Sequence, residues 1–272
     1  MSRKPKPTPE PIEGQERREV RTEAKKVRKR NHILRILFVI LLLLILLMSI
    51  SYACVSFVNK AGRFTINLDP DAHNIGISIS ETRDFKNPTI MLSGDPIENM
   101  DNITKEWILN HKGSSFYNPN DPTYRTFVDL DNVDGSHNGQ NYIAYTFYIK
   151  NTGKEKCGYH ASLDILSSTK GTDHAMRVMV YYNGQPTVYG KTPRADNKNN
   201  QYAWFGIDKT FKDPKTVMEL SNRNFKVGDI DKYTVVIWLE GYDPECVNDI
   251  LGGEAKLEMN FKALEVKEDK AV

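Results

Sequence analysis

Residues 233–253 read YTVVIWLEGYDPECVNDILGG, a run of β-branched and aromatic residues that breaks into an acidic loop holding a cysteine and closes on two glycines. Successive side chains of a strand point to opposite faces. Apolar residues at both odd and even positions, of types that fit a pleated surface, therefore place the first part in the middle of a sheet. Residues 142–150, YIAYTFYIK, have the same character. The apolar faces of Tyr142, Tyr148 and Trp238 are expected to be covered, by the second sheet or by another protein, since apolar strand faces are usually core.

Around these two segments the apolar period is two. RFTINLD sets Phe64, Ile66 and Leu68 on one face, NIGISIS sets Ile75, Ile77 and Ile79, and EAKLEMNFKA sets Ala255, Leu257, Met259, Phe261 and Ala263 opposite Lys256, Glu258, Asn260 and Lys262. AMRVMVYYNGQPTVYG predicts a hairpin turning at Asn183-Gly184. Helical signal is confined to NITKEWILN, a turn or two near PKTVMELSN, and PECVNDIL. Many short strands without βαβ alternation imply a mainly β fold, an antiparallel, jelly-roll-like β-sandwich.

Upstream, the stretch opening at Ile36 and closing at Val58 (residues 36–58) carries no charge. About 20 apolar residues suffice to cross a bilayer, so this stretch is read as a retained signal-anchor helix, with cleavage beyond it as the alternative. Residues 1–35 hold twelve Lys and Arg and five Glu, a net +7, and the chain totals +2, leaving −5 for the rest. The positive-inside rule then puts the N-terminus in the cytoplasm and the C-terminal part outside. The expected organisation is a cytoplasmic basic tail (1–32), a transmembrane segment (33–58) and an extracytoplasmic sandwich (59–272). The proline-rich start, 1–15, reads as disordered, and the basic run 16–30 as a helix lying on the leaflet. That run lacks base-reading or aromatic companions, so no nucleic-acid partner is expected.

Three cysteines need separate readings. Cys54 closes SYAC, which resembles a lipoprotein cleavage box. Ser51 stands where that box has an apolar residue, so an ordinary membrane-edge thiol is the preferred reading. Cys157 and Cys246 fall in the outer domain, where an oxidising compartment permits a bridge fastening the acidic loop to the segment after a central strand. Two free thiols are the alternative. Zinc is disfavoured by the lack of a second ligand pair, and a nucleophile–base pair of Cys157 with His160 rests on two residue types alone.

VDLDNVDGSHNGQN brings Asp129, Asp131 and Asp134 close together, a calcium candidate. The spacing fails the EF-hand order, and turn chemistry is the simpler explanation. Asp243, Glu245 and Asp249 stand alike. Residues 191–202, KTPRADNKNNQY, read as a long exposed loop and a weak site candidate. SSTK at 167–170 lacks the companion motifs of penicillin-recognising enzymes, and HExxH, GxSxG and phosphate loops are absent. Neither an enzyme nor a bound cofactor is expected.

ISETRDFKNPT, NMDNITKEW, DGSHNGQNYIAYTFYIKNTG and DKYTVVIWLEGYDPECVNDILGG resemble, in this order, segments of uncharacterised single-pass extracytoplasmic proteins of low-GC Gram-positive bacteria. More distantly, the plan is similar to the TasA and camelysin group of secreted β-sandwich proteins. That likeness rests on Asn151-Thr152-Gly153 after a central strand, Val227-Gly228-Asp229 before the last strands, and a terminal NFKA. The resemblance implies a cell-surface protein for adhesion, binding or assembly, anchored in the cell membrane, with self-association or a wall or protein partner. A released matrix-fibre subunit donating its first strand, around Phe64 to Leu68, is the second expectation. A metal-dependent envelope enzyme, as camelysin-like proteins have been described, lacks a zinc motif here.

Overall fold

The computed structural model describes residues 13–58, 63–117, 119–120, 130 and 133–264, with side chains of the first helix over 20–49 only. The chain forms two compact units, Met1–Asn59 and Lys60–Val272.

The first unit is one helix, α1 (Glu13–Val58), so the basic run and the apolar stretch share a single element. Forty-six residues make it about 69 Å long at ~1.5 Å per residue, more than twice a hydrocarbon core of about 30 Å. Its stretch Val20–Ser49 contains a window of mean hydropathy 2.7, long and apolar enough to cross a membrane. Of the start expected to be disordered, residues 1–12 lie outside the described residues and the remainder opens the helix.

The second unit runs β1 (Arg63–Leu68), α2 (Pro70–Asn74), β2 (Ile77–Ser80), β3 (Met91–Ser93), α3 (Lys105–Asn110), β4 (Gly135–Ser136), β5 (Ile143–Asn151), β6 (Cys157–Ser168), α4 (Thr172–Ala175), β7 (Met176–Tyr182), β8 (Gln185–Gly190), β9 (Lys209–Thr210), β10 (Thr216–Phe225), β11 (Ile230–Leu239) and β12 (Ala255–Leu264). One sheet has the order β10-β6-β12-β1-β3. The other has β2-β5-β11-β7-β8-β9, with β4 also on β5. The sandwich is as expected, but its sheets are mixed. β1 runs parallel to β12, Arg63 opposite Lys256 and Leu68 opposite Phe261, and β8 runs parallel to β9.

The period-two residues meet between the sheets. Phe64, Ile66, Leu68, Leu257, Met259 and Phe261 from one side pack on Tyr145, Phe147, Ile149, Tyr233, Val235 and Ile237 from the other. Phe147 stacks on Tyr233 at 5.4 Å, and Phe261 meets both rings edge-on. Burying such rings stabilises the fold by about 1.5–3 kcal/mol each, and truncating one to alanine costs about 3–5 kcal/mol because a cavity is left as well.

β5 and β11 are interior strands, and their second apolar face has its own cover. Tyr142, Ala144, Met179, Tyr181, Val236 and Trp238 pack against Ile108 and Leu109 of α3 and against Phe116 and Leu130. Tyr148 is buried on the same side, where its hydroxyl donates to Asp134. The expectation that these faces are covered therefore holds, with a helix and an irregular segment as the cover rather than the other sheet.

Three local expectations change. Ile75 caps α2 and is exposed, so only Ile77 and Ile79 of its trio face the core. PKTVMELSN, expected to be helical, lies on β10, because pairing with β6 satisfies its backbone along an edge. PECVNDIL supplies one 3-10 turn, Asn248–Ile250. The predicted hairpin is present, with φ of 49° at Asn183 and 81° at Gly184, the signs a type I′ turn requires.

The two turns singled out by sequence meet at one corner. Gly228 N–H donates to the Asn151 carbonyl at 2.9 Å, and Asn151 N–H donates to the Asp229 carbonyl at 3.1 Å. Gly153 lies so close to Gly76 that a Cβ on Gly76 would fall 2.2 Å from the Gly153 Cα, which only glycine tolerates.

Candidate functional site

The densest set of buried charges lies where β7 begins and β11 ends. Arg177 is the one charged residue in the apolar run of β7, opposite Trp238 of β11, and it is wholly buried. Its Nη2 donates to Asp243 Oδ2 at 2.7 Å and to the Ala203 carbonyl at 3.0 Å. A guanidinium so placed needs a carboxylate, since burying an unpaired charge is strongly unfavourable.

The acidic loop after β11 supplies that carboxylate and folds around it. Asp243 Oδ1 accepts the Glu245 N–H at 2.8 Å. Glu245 Oε1 accepts the Arg194 N–H at 2.7 Å, while Oε2 lies 2.9 Å from His174 Nδ1. Glu240 takes the Trp238 indole N–H at 3.0 Å and the Tyr242 N–H at 3.3 Å, and burial raises its pKa. Asp173 of α4 is held by Lys191 and Ser168. Burial pushes the Asp173 carboxyl up, but those two partners outweigh it, and the net direction is down. Burial, then Lys191 and Arg194, lower the pKa of His174 against the pull of Asp173 and Glu245.

Chemically this is a clasp. It fastens the long loop 191–208 to the loop 240–254 through Arg177 and Glu245, and ties Lys191 to α4 through Asp173. Donors of the protein occupy Asp243 and Asp173, while Glu245 Oε2 and His174 Nδ1 face each other without a hydrogen bond. Loop 191–202, expected to be exposed, is therefore anchored at Lys191 and Arg194, and at Ala203 just past its end, rather than free along its length. Asp249 is exposed and takes no part.

The other expected sites come apart. Cys157 and Cys246 are both free. Cys157 opens β6, whose twelve residues run roughly 36 Å at ~3.3 Å each. The far end, Ser168, meets Asp173 of the clasp, and Cys246 follows Asp243 in that clasp. The two thiols thus sit at opposite ends of the sandwich, and no bridge forms. Cys246 is half-buried, and burial raises its pKa. Cys157 and His160 are three residues apart on one strand and so face opposite sides: the thiol lies against the core, and His160 reaches Ser221 at 3.0 Å. Of the calcium candidates, Asp129 and Asp131 lie outside the described residues, and Asp134 accepts the Tyr148 hydroxyl at 2.6 Å. The Cys54 side chain also lies outside them. Among the described residues, no three His, Cys, Asp or Glu side chains converge as metal ligands.

At the opposite end an open depression of about 1000 Å³ lies between α2, the turn after β5 and the end of β12, with Asp69, Asp71, Lys154, Lys156 and Lys262 around Cys157. Its lining charges are of both signs.

No family model matches the chain, and no curated protein is similar to it. Among solved structures, a β-glucosidase from Kluyveromyces marxianus in complex with glucose aligns at 13% identity over 50% of this chain and 14% of its own, with a TM-score of 0.23. A likeness so slight carries no argument about fold or activity.

Proposed function

We propose that this chain is a membrane-anchored cell-surface protein whose β-sandwich serves adhesion, binding or assembly without catalysis. In this reading residues 36–58 cross the cell membrane, the basic end stays in the cytoplasm, and the sandwich lies outside. The observation that carries it is the pairing, in one chain, of an apolar helix long enough to span a bilayer with a separate β unit that has its own core. The charge step across the helix, +7 before it and −5 after residue 35, sets the proposed direction.

The clasp supports the non-catalytic part of the reading. A general acid or base needs a free lone pair or proton facing a substrate. Here Asp243 and Glu240 face Arg177, Trp238 and backbone amides. The tethered form is favoured over a strand-donating fibre subunit by β1, which lies inside its own sheet between β12 and β3 with Phe64 and Ile66 in the core. Donation would require those contacts to be broken first.

Topology is the test. Protease added to intact cells should remove the sandwich from the full chain and leave a membrane-bound N-terminal fragment. Protection of the sandwich, or full-length protein in the soluble fraction, would overturn the proposal.

A further inference from the structure

Of the ten exposed large apolar side chains among the described residues of the sandwich, five gather around the clasp. Tyr202 is 49% exposed, Trp204 37%, Tyr242 52%, Val247 48% and Leu251 67%. Tyr202 and Tyr242 rings are 6.4 Å apart, and Phe205 meets Tyr242 edge-on at 5.2 Å. The rings are not on slack loops. Arg177 grips the Ala203 carbonyl, the Trp204 indole N–H donates to the Lys198 carbonyl at 2.9 Å, and Lys170 donates to the Leu251 carbonyl. The buried clasp thus holds an apolar, aromatic edge out towards solvent.

This edge lies at the end where the chain enters the sandwich. Arg63, the first residue of β1, pairs with Lys256, one residue into β12, and the loop 240–254 leads directly into β12. Only residues 59–62 separate Arg63 from α1. At most about 17 Å of extended chain links Val58, the last residue of α1, to Arg63. Tyr and Trp favour the boundary between headgroups and acyl chains, where an apolar ring body and a polar tip are both satisfied. The charges beside the rings are mixed, exposed Lys170 and Lys198 with exposed Asp196 and Asp249, so the apolar and aromatic side chains rather than net charge carry the contact.

We infer that Tyr202, Trp204, Tyr242, Val247 and Leu251 form a lipid-contacting edge that seats the sandwich on the outer surface of the bilayer. The inference rests on the anchoring proposed above. It makes the clasp a positioning device, and it gives the exposed rings an occupant.

The chain contains three tryptophans, none in α1, and of these Trp238 is wholly buried and Trp107 is half-buried and stacked on His111. Tryptophan emission of the full chain therefore reports on the edge. The full chain would be reconstituted into vesicles of phosphatidylcholine and phosphatidylglycerol, with and without acyl chains brominated near the headgroup, and floated on a density gradient. Failure to float would overturn the anchor itself and the inference with it. Among floated samples, bromolipid should quench roughly a third of the emission, one tryptophan in three, because Trp204 lies within contact range of the lipid. Trp204→Phe should abolish that quenching, and Val247→Asp with Leu251→Asp should reduce it several-fold without changing flotation. A floated chain whose Trp204 is unquenched would overturn the inference while leaving the anchor standing. An emission change of Trp204 on adding soluble wall glycan or a second copy of the chain, in place of quenching by bromolipid, would overturn it in the same way.

Discussion

β11 has a buried carboxylate near each end, and the two are held in different ways. At its start, Asp231 accepts hydrogen bonds from the Tyr159 hydroxyl at 2.5 Å, the Tyr182 hydroxyl at 3.1 Å, and the Asn222 and Asn183 amides at 2.9 and 2.8 Å. Burial, with Tyr233 and Asp231 beside it, raises the Tyr159 pKa and keeps that donor protonated. Just past the other end, Asp243 is held by the guanidinium of Arg177. Four neutral donors can each be lost singly and leave a carboxylate still partly solvated by protein. The ion pair has less reserve, because without Arg177 the buried Asp243 keeps only the Glu245 N–H and no countercharge.

That difference predicts the largest effect. Arg177→Met should lower the unfolding free energy of the full chain in detergent, measured by denaturant titration, by about 3–5 kcal/mol. The double change Arg177→Met with Asp243→Leu should recover most of it, since neither charge then remains buried. If the single and double variants fall equally, the cost lies in packing around Trp238 rather than in the stranded carboxylate.

His137 sharpens the comparison from the other side, as a half-buried group kept neutral. Its Nδ1 lies 3.2 Å from Ser115 Oγ and its Nε2 3.0 Å from Thr146 Oγ1, pinning the covering segment to the outer sheet face. Burial, then the charge of Lys232, lower its pKa from 6.5 to about 4. The unfolded chain therefore takes up this proton first as pH falls. Stability is complete above pH 6.5 and is lost progressively down to about pH 4, by a total on the order of 3 kcal/mol. Denaturant midpoints across that range should show the slope, and His137→Asn should flatten it. A wild-type profile without it would mean that Ser115 and Thr146 also accommodate the protonated ring.

Asp231→Asn should cost less, about 1–3 kcal/mol, because an amide donor then faces Tyr and Asn donors while no charge is stranded. Tyr159→Phe, which removes one donor of four, should cost about 1 kcal/mol in the same titration. Should Asp231→Asn match Arg177→Met, neutral donors would have proved no more forgiving than a countercharge, and the contrast between the two ends would fail.

The same contrast separates what is legible in the sequence from what is not. Alternation in RFTINLD and EAKLEMNFKA identifies inward faces, because burial on one side of a strand imposes period two locally. That those two strands lie side by side and parallel is a pairing across nearly two hundred residues, which no local period encodes. PKTVMELSN misleads because the strand is an edge, where one exposed face relaxes the alternation. Asp243 and Glu245 stand out as loop acids, whereas Arg177 escapes notice although its signal is present: a lone charge inside AMRVMV must find a buried partner. Compartment chemistry alone pairs Cys157 with Cys246. Where each falls along its strand, which decides whether they meet, depends on the register of β6 against β10 and β12.

The cysteines give the smallest expected effect and a direct check on the two-ended layout. With Cys157 on the core side of β6 and Cys246 in the clasp, reductant should leave the denaturant midpoint of the full chain unchanged, within a few tenths of a kcal/mol. A bridge closing about ninety residues would instead stabilise the chain by several kcal/mol and make its loss on reduction obvious. Mass spectrometry after alkylation without reductant should find both thiols modified once the chain is unfolded, with Cys246, the more exposed, reacting first in the folded state. A non-reduced peptide joining Cys157 to Cys246 within one chain would require β6 to run the other way along the sandwich. The clasp and the Asp231 cluster would then have to lie at the same end of β11, which a single extended strand does not allow.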